Sequence, residues 1–103
     1  MIYSFPRGSS IRLALENMDG ATFTALPTAK IKALSGGRPF GPVLGTFTTQ
    51  AQADLGGGKP GWIFTLSTQL PLGDYGVDAV LLNGTEVTVT SMITVKVVAS
   101  AAG

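Results

Sequence analysis

The sequence predicts an all-β fold, an antiparallel β-sandwich of about seven strands, on the strength of three observations. Apolar and polar residues alternate with period two along most of the chain, the pattern of strands that bury one face. Long segments with helical spacing of apolar residues are missing. Clusters of glycine, proline, asparagine and aspartate recur at the spacing typical of sandwiches and barrels. The length of 103 residues suits one domain, so we predict a single domain over residues 1–103.

Each predicted strand is bounded by turn-forming residues. Pro6 ends the first strand, because proline cannot donate a hydrogen bond to a ladder. Lys30 and Lys32 share one face of the third strand, which indicates a solvated or edge strand. Asn83-Gly84 is predicted to join the last two strands as a hairpin, since both central residues of a type I′ turn need positive φ. The seven strands are predicted, in chain order, at residues 2–5, 11–16, 28–34, 43–50, 62–67, 76–82 and 86–98.

Two segments rich in glycine are predicted to be loops. Residues 35–42 combine glycine with proline, and residues 56–61 form the most flexible stretch. Residues 51–55, between them, could close as a helical turn, and residues 17–20 should form a turn. Residues 56–61 do not match a phosphate-binding loop, because Pro60 stands where that motif needs serine or threonine.

The last strand is predicted to turn one apolar face toward the core. Alternation places the odd-numbered residues on that face and the even-numbered ones on the other. The predicted inward set is Val87, Val89, Ser91, Ile93, Val95 and Val97.

Composition excludes several classes of function. Cysteine and histidine are both absent, which removes disulfides, thiolate chemistry, and the commonest general base and transition-metal ligand. The seven basic residues are scattered and the net charge is +1, so no nucleic-acid partner is predicted. No apolar run is long enough for a membrane helix. The N-terminus lacks the pattern of a signal peptide, and we expect a product made in the cytoplasm.

The acidic residues do not predict a catalytic or metal site. Asp74 and Asp78 would lie about 13 Å apart on one strand, which is too wide for the usual carboxylate pair of a glycosidase. Closely spaced acids that could bind calcium are missing. A serine with a lysine base stays open, but nothing singles out Ser9, Ser10 or Ser91. We therefore predict a protein that is not an enzyme and has no cofactor.

The passage from Leu70 to Tyr75 is similar to the tyrosine corner of immunoglobulin-like sandwiches. In that motif the phenol bonds to the upstream backbone and pins the connection between two strands. Val77 stands where antibody domains carry their second cysteine, and Trp62 falls in the fifth predicted strand instead of the third. The resemblance therefore implies the looser immunoglobulin-like or fibronectin-like architecture, with Tyr75 as its structural corner.

Residues 7–13 carry a second resemblance. A short first strand followed by a polar turn led by Gly8 and a strand from Ile11 resembles the immunoglobulin-like modules of tailed-bacteriophage virions, particularly baseplate and tail proteins. The resemblance implies a structural module that docks on other virion subunits or on copies of itself. It also implies incorporation in a virion.

Phe40 is the aromatic residue that a core explains least. It lies between Pro39 and Gly41 in a predicted loop. We predict a partner-binding site of Arg38, Pro39 and Phe40, with Phe40 as its anchor.

A carbohydrate-binding or adhesin-type sandwich is the alternative, since aromatic rings also stack on sugars. An exposed apolar patch or an unpaired sheet edge would favour assembly. A groove lined by Trp62, Tyr3 and acidic residues would favour sugar binding.

Overall fold

The computed structural model describes residues 2–17, 26–67, 69–83 and 85–99. These residues are all-β and form nine strands. No helix of the described part is long and apolar enough to cross a membrane. The strands are β1 (Ile2–Pro6), β2 (Ile11–Glu16), β3 (Thr28–Ser35), β4 (Arg38–Thr46), β5 (Thr48–Gln52), β6 (Gly61–Leu66), β7 (Gly73–Asn83), β8 (Glu86–Val89) and β9 (Ile93–Val98).

The strands form two sheets. The larger has the order β1-β9-β7-β3-β4, with β8 paired to β7, and the smaller has the order β2-β6-β5. All pairs are antiparallel except β1 and β9, which run parallel. The larger sheet is therefore mixed, and the prediction of purely antiparallel sheets is wrong at this pair.

One core lies between the inner faces of the two sheets. Ile31 and Val95 are fully buried in it, and Trp62 is buried within the sixth strand. Alternation in the sequence predicted many of the inward positions, because the period of a strand is two. The buried apolar residues are Ile11, Ala29, Ile31, Phe47, Trp62, Phe64, Leu66, Leu70, Tyr75, Val77, Ala79, Leu81, Val95 and Val97.

Nine strands stand where about seven were predicted, because two predicted strands are interrupted. The predicted strand over residues 43–50 changes sheets at Phe47, which is buried and donates its backbone N–H to Ala29 at 2.9 Å. Residues before Phe47 belong to β4 in the larger sheet, and those after it belong to β5 in the smaller sheet.

The second interruption is a bulge between β8 and β9. Val80 lies opposite Val89, and Val77 lies opposite Ile93. The three residues 90–92, between β8 and β9, therefore lie opposite only two residues of β7, 78 and 79. One extra residue reverses which side chains point inward. The inward prediction is thus wrong for Val87 and Val89, which are 60% and 57% exposed, whereas Val95 and Val97 are buried.

Two predicted loop segments also differ from the structure. Residues 38–42 belong to β4 and are not a loop, and residues 51 and 52 continue β5 where a helical turn was predicted. The glycine run is a loop, and Asp54 organises it: one carboxylate oxygen accepts the N–H groups of Gly56 and Gly58 at 2.8 and 2.9 Å.

The two predicted tight turns are described only in part. Asn83 lies opposite Glu86 in the β7–β8 hairpin, but Gly84 lies outside the described residues. Residues 18–20 of the turn predicted after β2 also lie outside them.

Candidate functional site

An apolar cleft opens between the two sheets beside β2. Its volume is about 480 Å³. Leu13 and Leu15 of β2 and Phe64 of β6 line it from the smaller sheet, while Tyr3 and Ile93 line it from the larger sheet. Leu13 and Leu15 are only half-buried, so apolar surface at this side of the core remains in contact with water.

The outer edge of β2 carries backbone groups that have no partner among the described residues. Among the described residues β2 pairs only with β6, and Asn17 continues that ladder by donating its N–H to the Pro60 carbonyl at 2.9 Å. Backbone groups alternate in direction along a strand, so the odd-numbered residues of β2 face β6. The N–H and C=O groups of Arg12, Ala14 and Glu16 therefore point away from the sheet.

The other sheet edges in the described part of the chain are blocked or short. β1 ends in Pro6, and β4 contains Pro39 and Pro42 as well as a bulge. β5 has five residues and is polar or small throughout, and β8, which pairs only with β7 among the described strands, has four. Prolines, bulges and short length are devices that keep edge strands from pairing with other chains. β2 has no proline among its six residues and pairs with β6 in unbroken register, so it has neither the prolines nor the bulge.

β4, at the edge of the larger sheet away from β1, carries an apolar segment over residues 40–44, which we call the β4 projection. Ile31 lies opposite Gly45 and Ala33 lies opposite Phe40, so β4 has residues 41–44 where β3 has only Lys32. Gly41 has a φ of +73° within this bulge, a backbone conformation that favours glycine. The bulge leaves Phe40, Val43 and Leu44 exposed by 54%, 41% and 39%.

The predicted partner-binding residues lie directly before this bulge, in regular register with β3. All three are exposed, and they are the first residues of strand β4: Arg38, Pro39 and Phe40. Sequence reasoning missed Val43 and Leu44 because it placed them in a regular strand, where alternation would send one of them inward. The nearby Gly41-Pro42 pair was the available signal that the strand is bulged there.

Tyr75 lies at the start of β7 and is buried. Its hydroxyl donates to the Pro71 carbonyl four residues upstream at 2.6 Å. Burial raises the pKa of Tyr75, because desolvation disfavours the phenolate. The bond ties the segment that enters β7 to the edge of the core.

The acidic residues of β7 lie opposite lysines. Asp74 is paired in register with Lys96 of β9, and Asp78 with Lys30 of β3. Opposite charges across a ladder stabilise a sheet, which gives these carboxylates a structural role. Within the described residues no group of three or more acidic side chains could hold a metal ion.

Among the described residues, Trp62 and Tyr3 do not line a common groove of the kind that sugar binding would favour. Tyr3 and Asp78 line the cleft, but Trp62 is 8% exposed and belongs to the core. Phe40 lies on β4, the edge strand farthest from β1 in the larger sheet.

Comparison with known proteins identifies no relative of this chain. No family model matches it, and no curated protein or solved structure gives a significant match.

Proposed function

We propose that this protein is a non-enzymatic assembly module that docks on other protein subunits. The observation that carries the proposal is the projection of β4, where Phe40, Val43 and Leu44 are each exposed along one strand. Single exposed apolar residues are normal, but a cluster on one strand marks an interaction surface. Arg38 beside Phe40 adds the combination of arginine and aromatic that is enriched at protein interfaces.

The proposal includes an immunoglobulin-like arrangement of the strands. The order β2-β6-β5 corresponds to strands B, E and D, and β9-β7-β3-β4 corresponds to G, F, C and an added C′. The bond from Tyr75 to Pro71 supports this, since a tyrosine at the start of strand F bonds to the upstream backbone in such sandwiches. Strand A of the constant-type order would lie beside β2, whereas β1 pairs with β9.

The remaining parts of the proposal are supported by the sequence. The lack of histidine and cysteine favours a role without catalysis. Membership of a tailed-phage virion is proposed on the resemblance of residues 7–13 alone.

Truncation of Phe40 tests the proposal. We expect the wild-type chain to self-associate at micromolar concentration and the Phe40→Ala variant to show a lower mean mass in light scattering, because the anchor of the β4 surface is lost. Leu72→Ala is the matched control, since Leu72 is 52% exposed but lies between strands, outside β4.

The carbohydrate alternative makes the opposite prediction. A monomeric wild-type chain that binds immobilised polysaccharide, with Phe40→Ala behaving like wild type, would contradict the proposed role.

A further inference from the structure

We propose that β2 is a dimerisation edge and that its partner is β2 of a second copy of this chain. The two strands would pair antiparallel about a two-fold axis at Ala14, which joins two three-stranded sheets into one continuous sheet. This inference rests on the proposed role in assembly and names one partner for it. The edge of β2 is a different surface from the β4 projection.

The backbone of β2 is complementary to itself in this register. Arg12, Ala14 and Glu16 direct their N–H and C=O groups outward, as the bond from Asn17 to Pro60 on the inner side requires. With Ala14 opposite Ala14 of the second copy, Arg12 lies opposite Glu16 of that copy. Each of these opposed pairs is of the hydrogen-bonded type, so all the outward groups of the three residues find partners.

The charges of β2 select the same register. Arg12 and Glu16 lie on one face of the strand about 13 Å apart, too far to pair with each other in one chain. Across the two-fold axis each faces its opposite charge directly, which stabilises an antiparallel pair. A shift by two residues would place Arg12 opposite Ala14 and lose both charge pairs. The charge pattern therefore specifies a second copy as the partner.

The inner face of β2 gains burial from the same contact. Leu13 would lie opposite Leu15 of the second copy, on the face that lines the 480 Å³ cleft. Both leucines are half-buried in the single chain. A second strand along this edge would cover them and remove apolar surface from water.

Charge reversal tests the inference in a way that loss of folding cannot imitate. Arg12→Glu and Glu16→Arg each place like charges opposite one another at both ends of the symmetric ladder. We expect each variant alone to weaken dimerisation by about tenfold or more in sedimentation equilibrium. An equimolar mixture of the two variants should dimerise like wild type, because every opposed pair is again of opposite sign. The double variant Arg12→Glu/Glu16→Arg should do the same.

Arg7→Glu is the control for net charge, since Arg7 is exposed in the turn after β1 and outside β2. It should leave dimerisation unchanged. A wild-type dimer that neither single reversal weakens, or a mixture that stays monomeric, would overturn the β2 interface and leave the proposed assembly role standing. A wild-type chain that is monomeric throughout would contradict both.

Discussion

Tyr75 shows how one residue connects a sequence motif to the packing of this protein. Its ring is buried in the core while its hydroxyl reaches the Pro71 carbonyl at 2.6 Å. A buried phenol needs such a partner, because an unpaired polar group in a core is destabilising. Pro71 itself is exposed, so the bond is made at the boundary between core and solvent.

Removing that hydroxyl should lower stability moderately. We expect Tyr75→Phe to reduce the free energy of unfolding by about 1 kcal/mol, since one hydrogen bond is lost and water can replace it at the Pro71 carbonyl. Urea denaturation at neutral pH measures the difference. A variant as stable as wild type would show that the bond does not hold the segment before β7.

The same variant should differ from wild type in alkaline solution. Burial raises the pKa of Tyr75 above its ordinary value near 10, so the folded protein holds the phenol proton more tightly than the unfolded chain. That contribution to stability is complete below the unfolded pKa and is lost as the pH rises through the folded pKa. The stability of Tyr75→Phe should therefore fall less steeply than that of wild type above about pH 10. Parallel curves would contradict the assignment.

At the scale of elements, the bulge between β8 and β9 decides which valines form the core. Alternation in the sequence predicts one inward face from Val87 to Val97, and it is right only after the bulge. A bulge has no signature in the polar–apolar pattern, because its extra residue is one more position in a run of threonines, serine and methionine. The sheet change at Phe47 was not predicted, because it also has no signature in the polar–apolar pattern.

Paired substitutions on the two sides of the bulge test this reversal. We expect Val95→Thr, at a fully buried position, to lower the free energy of unfolding by about 1 to 3 kcal/mol, because a hydroxyl enters the core. Val89→Thr, at a position 57% exposed, should change it by less than about 0.5 kcal/mol. Similar losses for both would mean that Val89 also faces the core.

The candidate surfaces were predictable to different degrees. Phe40 stood out in the sequence because proline and glycine flank it, and the structure leaves it exposed on β4. The edge of β2 could not be identified, since an alternating strand looks the same in the middle of a sheet and at its margin. Only the strand order and the bond from Asn17 show which backbone groups lack partners within the described part of the chain.

At the scale of the whole molecule, the described sheet edges divide into protected and unprotected ones. Proline, a bulge or short length protects β1, β4, β5 and β8, whereas β2 is regular and borders an apolar cleft. A low content of charged residues, 13%, gives little repulsion between copies. These features together favour a protein that works in contact with other subunits.

The mass of the wild-type chain in solution, measured by light scattering over a concentration series, tests this account most directly. The account predicts a mean mass that rises with concentration to at least that of a dimer in the micromolar range. A mass that stays at that of a single chain throughout the series would contradict it.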